Sequence, residues 1–92
     1  MYNVRLSIAD SKYEYPSAAG FKALYKTATM CAKQCFKSRV RFRMVVENGS
    51  GDEVLRVFTY HSESKNIWIA RVASAPHSQC NKYGLTLRRE NY

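Results

Sequence analysis

Between Tyr15 and Val46 the chain has no aspartate and no glutamate, yet the same stretch carries Lys22, Lys26, Lys33, Lys37, Arg39, Arg41 and Arg43. No carboxylate of that segment can therefore neutralise them. Like charges four residues apart on a helix repel by roughly 0.2–0.5 kcal/mol per pair, so a helix kept only for its fold would mix in glutamates. Other absences narrow the class. There is no run of about 18 apolar residues, which excludes a transmembrane helix. The stretch MYNVRLSIADSKYEY lacks the basic, then apolar, then small-residue layout of a secretory signal, so a cytoplasmic protein with no membrane partner is expected. Cysteines number three, Cys31, Cys35 and Cys80, an odd count that argues against a disulfide framework. Cys31 and Cys35 would stand one helical turn apart, close but badly aimed for a bridge, and reduced thiols in apolar surroundings are expected. There is no internal repeat, linker or low-complexity segment. There is also no catalytic triad, nucleophile elbow or phosphate loop, so the expectation is a protein that is not an enzyme, with no cofactor and no small-molecule substrate.

What is present fits one small domain of 92 residues. A chain of this size buries about 60–65% of its unfolded surface, which makes a modest core. The net charge is +8, from 15 basic and 7 acidic residues, and implies an anionic partner, most commonly nucleic acid. In residues 2–8, YNVRLSI, Tyr2, Val4, Leu6 and Ile8 alternate with Asn3, Arg5 and Ser7, the pattern of a half-buried strand. ADSKYEYP reads as a connection, and Pro16–Ser17 as a helix start with the serine as cap. From Ala18 to about Lys37 the period becomes helical. Phe21, Leu24, Tyr25, Ala28, Cys31, Ala32 and Cys35 make one apolar stripe. Lys22, Lys26, Thr29, Lys33 and Lys37 fall within roughly an 80° arc on the other side. RVRFRMVV and VLRVFTYH flank the Gly-rich turn ENGSGDE as a hairpin, and NIWIARVA is a further strand. SAPHSQCNKYG is loop-like, and LTLRRENY is either a last short edge strand or a tail. The expected fold is α+β, of order β-α-β-β-β with a possible fifth strand, with a single amphipathic helix packed on one face of a small antiparallel sheet and the other face open.

The candidate binding residues are the cations of the acid-free block: Lys22, Lys26, Lys33, Lys37, Arg39, Arg41 and Arg43, an electrostatic footprint for phosphates. Their surroundings depend on the hairpin register. If Met44 pairs with Arg56, the arginine face also carries Leu55, Val57, Thr59 and His61. A slip of one residue sets Phe58 and Tyr60 among the arginines instead, an arrangement suited to base stacking. Burial tendencies favour Phe58 and Tyr60 as core residues. Cys31, Cys35, His77 and Cys80 are conceivable zinc ligands. Two of them fall on the apolar stripe and there is no close C-x-x-C pair, so no metal site is expected. Arg41, Arg43, Tyr60 and His61 hold the parts of a small ribonuclease site, base, acid and phosphate-binding charge, without a recognisable motif.

The segments YNVRLSI, AAGFKALYKTATMCAKQCFK and SRVRFRMVVENGSGDEVLRVFTYH, together with the size and layout of the whole chain, resemble the small phage-encoded anti-CRISPR proteins, specifically inhibitors of the type I-F RNA-guided surveillance complex. That family has no common motif, so no functional residue carries over by position. The resemblance implies a stoichiometric inhibitor in the cytoplasm of a host bacterium. Such a protein would dock on the Cas protein–guide RNA complex, with direct RNA contact left open, and block target DNA hybridisation. Messenger-RNA endonuclease toxins of the RelE type are the alternative. They too are basic α+β proteins of this size, and LTLRRENY has the flavour of their C-terminal strand, but one helix stands here where they have a pair. A stand-alone RNA-binding module is a third reading. The chain lacks the aromatic motif of an RRM, the G-x-x-G loop of a KH domain and the α-β-β-β-α order of a double-stranded-RNA-binding domain.

Overall fold

A computed structural model describes residues 1–74. The loop-like stretch with His77 and Cys80, and the edge strand or tail expected at 85–92, lie outside the described residues. The alternating N-terminal segment forms strand β1 (Tyr2–Ile8). The segment read as a connection is itself a strand, β2 (Ser11–Ser17), paired antiparallel to β1 with Leu6 opposite Tyr13. Two local signals hide it. Its turn is Ala9–Asp10, with alanine at φ 54 where glycine or asparagine is usual. It also contains Pro16, which a sheet tolerates on an outer strand.

Helix α1 (Phe21–Ser38) begins three residues later than the apolar period suggests. Gly20 is its N-cap and makes no side-chain cap bond, while the Ser17 hydroxyl accepts a bond from Ala19 N–H at 3.1 Å, before the helix. At the other end Arg39 turns left-handed, at φ 56. Arg39 N–H donates to Phe36 C=O at 3.2 Å and Val40 N–H to Cys35 C=O at 2.9 Å, the paired bonds of a Schellman ending. Arg39 is thus a helix terminator and not part of the arginine strand. An L-residue in this conformation costs roughly 1–2 kcal/mol, while glycine loses about 0.4–1 kcal/mol through its freer unfolded chain. Arg39→Gly is therefore expected to stabilise the fold by about 0.5–1 kcal/mol, read as a rise of a few degrees in a thermal melt.

Strands β3 (Phe42–Glu47), β4 (Glu53–Ser62) and β5 (Ile67–Ser74) complete the sheet, which is antiparallel throughout in the order β2-β1-β3-β4-β5. The β3–β4 turn is closed by the Asn48 side chain, whose Oδ1 accepts from Ser50 N–H (2.9 Å) and Asp52 N–H (3.0 Å). The result is the expected α+β fold, one helix on one face of an antiparallel sheet, with the fifth described strand at 11–17. The helix backbone lies over β3, β4 and β5, and the β1 side chain Val4 joins the same core from the side, while β2 stays away from the helix. Ala28 and Ala32 are fully buried beneath it; with no side chain beyond Cβ they let the helix settle close to Val4, Phe42, Met44, Val46, Leu55 and Val57. Thr59 is the buried polar side chain of this layer, and its hydroxyl donates to Val40 C=O at 2.8 Å. Cys31 and Cys35 are free thiols at the margin of the core. Burial, and secondarily the neighbouring Cys31, push the Cys35 thiol above its usual range.

Candidate nucleic-acid interface

The hairpin register decides which side chains share the uncovered face. Arg43 lies opposite Phe58 and Val45 opposite Arg56. Neither register considered from the sequence occurs, but the observed one has the parity of the slipped case. Phe58 and Tyr60 therefore leave the core, against the general burial tendency, and stand on the open face with Arg43 and Arg56. Leu55, Val57 and Thr59 take the core side because their cross-strand partners Val46, Met44 and Phe42 are buried against the helix. The rings of Phe58 and Tyr60 stack, with centroids 5.8 Å apart and an interplanar angle of 24°. Neither ring is fully covered.

The open face also carries cations from outside the acid-free block. β1 contributes Arg5, β2 Lys12, β4 Arg56 and β5 Arg71, by the same alternation. Some are neutralised: Arg5 pairs with Glu47 at 2.8 Å, and Arg56 grips both oxygens of Glu53 at 2.9 Å. The Arg56 hydrogen bond holds the Glu53 carboxyl below its usual range, so that ion pair persists at neutral pH and is lost only as acid protonates the carboxylate. Glu14 accepts from Asn3 Nδ2 at 2.9 Å. Lys12, Arg41, Arg43 and Arg71 have no ion-pair or hydrogen-bond partner for their side chains among the described residues. Two hollows of about 370 and 700 Å³ share Ser7, Lys12, Arg43 and Arg56 and merge into one trough. Arg5 on β1 and Val45 on β3 line one end, and Arg41, Phe58 and Tyr60 the other. The trough sets unpaired cations beside a stacked aromatic pair, with Asp10 and Glu14 at its β2 margin, so it offers charge for a phosphodiester backbone and ring faces for bases.

The seven cations singled out from the sequence do not form one surface. Lys22, Lys26, Lys33 and Lys37 are exposed on α1, on the opposite side of the sheet from Arg41 and Arg43. Arg39 lines a separate hollow of about 390 Å³ at the helix C-terminus, with Lys37, His61 and Trp68. His61 lies on the helix side of β4, opposite Trp68, with its Nε2 3.3 Å from Asn66 Oδ1. The conceivable ribonuclease set is therefore divided, with Arg41, Arg43 and Tyr60 on one face and His61 on the other. No group of three His, Cys, Asp or Glu side chains able to hold a metal exists among the described residues, and no described helix is long and apolar enough to cross a membrane. Sequence reasoning missed Lys12, whose strand was unrecognised, and Arg5, Arg56 and Arg71, which stand outside the acid-free block. Period-two alternation in β4 was the available signal for grouping Arg56, Phe58 and Tyr60.

No family model, curated protein or solved structure matches this chain. The functional reading therefore rests on the chemistry of the open face.

Proposed function

We propose that this protein is a non-enzymatic binder of an RNA-bearing partner, with the open sheet face as its contact surface. The observation that carries this reading is the pair Arg41 and Arg43, unpaired, beside the stacked rings of Phe58 and Tyr60 on a face with no covering layer among the described residues. Arginine guanidinium groups neutralise phosphates and release counterions, while aromatic faces stack on bases without regard to sequence. A sheet that displays both suits single-stranded RNA better than a duplex, whose bases are already stacked.

The resemblance to anti-CRISPR proteins gives the partner a concrete form, the type I-F Cas protein–guide RNA complex. A chain of net charge +8 is a poor mimic of DNA. It would act by gripping guide RNA or an acidic Cas surface and so prevent the target strand from pairing. The test is a pull-down from bacterial lysate carrying an active type I-F system, with and without RNase. The expected result is recovery of the intact complex, far tighter binding to it than to naked RNA, and loss of its target-DNA gel shift. Tyr60→Ala should weaken capture roughly 10-fold, the loss of about one stacked base. Recovery of ribosomes, with growth arrest relieved by His61→Ala, would overturn the proposal in favour of a messenger-RNA endonuclease.

A further inference from the structure

Strand β2 is the least covered element of the sheet. Six of its seven residues are exposed, from Ser11 to Pro16. The helix does not reach it, Tyr13 and Tyr15 are 54% and 40% exposed, and among the described residues β2 is the outer strand on its side. The direction of its free backbone groups follows from the ladder. Ala9 N–H donates to Arg41 C=O at 2.8 Å, so the odd-numbered residues of β1 turn their backbone groups toward β3 and the even-numbered ones toward β2. The two-residue turn, with Ile8 opposite Ser11, gives the same phase. In β2, Ser11, Tyr13 and Tyr15 are thus bonded inward, while Lys12, Glu14 and Pro16 point their backbone groups out. Proline has no N–H to offer at such a position. The free edge therefore presents N–H donors at Lys12 and Glu14 alone.

We propose that this edge pairs with the same edge of a second copy of the chain, antiparallel, about a two-fold axis at Tyr13. In that register Lys12 faces Glu14 of the second copy, and Glu14 faces its Lys12. Both are hydrogen-bonded pairs, and together they use every outward N–H of the two strands. Opposite charges directly across an antiparallel pair attract, and like charges repel. Tyr13 meets its own counterpart in the closer, non-bonded pair, about 4.5 Å between Cα atoms, which joins ring surface that is exposed in one copy. The neighbouring axes fail. Centred at Lys12 the pairing sets lysine against lysine and Glu14 against Asp10; centred at Glu14 it sets glutamate against glutamate and spends Lys12 on Pro16.

Charge favours this edge for a second reason. A copy of net charge +8 repels another over most of its surface, but Asp10–Glu14 holds two acidic residues and one basic residue. The axis stands normal to the sheet, so the five-stranded sheet doubles and both troughs face the same way. The inference does not depend on the RNA reading.

The test is the mass of the full chain against concentration by sedimentation equilibrium. The expected mass rises from 10.6 kDa toward twice that value. Lys12→Glu should weaken association at least 10-fold, and the double exchange Lys12→Glu/Glu14→Lys should restore it, because the opposed charges are only swapped. Glu14→Pro, which removes an outward N–H and leaves the β1 ladder intact, should also give a monomer. Circular dichroism melts check that each variant remains folded. A wild-type chain that stays monomeric to roughly 1 mM, or a dimer indifferent to Lys12→Glu, would overturn the proposal.

Discussion

Replacing Arg41 and Arg43 together by glutamate is expected to reduce RNA-dependent capture by about 100-fold or more while leaving the melting temperature within a few degrees of wild type. Both side chains are exposed and make no ion pair among the described residues, so their removal should leave the fold intact and relieve some like-charge repulsion. Each phosphate contact on a single strand contributes about 0.7 to the slope of log affinity against log salt, so the slope should fall by about 1.4. Glutamates at these positions also repel the backbone that the arginines attracted. The matched comparison is Lys22, Lys26, Lys33 and Lys37 replaced by glutamate on the far side of the molecule, which should change capture by less than about threefold once long-range attraction is screened by salt. Binding that survives the arginine exchange and fails with the lysine exchange would move the contact surface to the helix.

Phe42→Ala should be the most damaging single truncation for stability. Phe42 is 2% exposed, sits on the central strand β3 between Ile8 and Thr59, and faces the helix. Truncation of such a ring costs about 3–5 kcal/mol through lost burial and the cavity left behind. A domain of this size has about 5–15 kcal/mol in total, so a large part of its stability goes. Urea denaturation measures the loss. Phe58→Ala is the informative control, because it removes the same group from the other face of the neighbouring strand. It should cost about 1 kcal/mol and act mainly on binding. Equal losses at Phe42 and Phe58 would contradict the observed register.

The cationic block was legible as charge, and its division into separate surfaces was not. Lys22, Lys26, Lys33 and Lys37 are placed by the helical period alone, a repeat internal to one segment. Arg41 and Arg43 alternate with Phe42 and Met44, which also fixes their face. Arg39 follows the same alternation on paper but belongs to the helix ending, since no glycine marks the left-handed residue there. β2 escaped notice for a similar reason. An alanine holds the left-handed turn position, and Tyr13 and Tyr15 give little burial contrast because both stay largely exposed, like their neighbours in β2.

The elements that local periodicity specifies, β1, α1 and the β3–β4 hairpin, are written in the order of the residues, because each places its own apolar side chains toward one side. The identity of the open face is not local. A slip of one residue between β3 and β4 would exchange Phe58 and Tyr60 with Val57 and Thr59, and every intrastrand pattern would remain as it is. Packing resolves that choice. Leu55, Val57 and Thr59 close against Ala28, Ala32 and the central strands, which turns the stacked aromatics and Arg56 outward to meet Arg43, and brings Lys12 and Arg5 to the same face from strands thirty or more residues earlier. Charge and period come from the chain; the meeting of these cations with those rings comes from the sheet, since strand pairing sets which distant residues stand side by side.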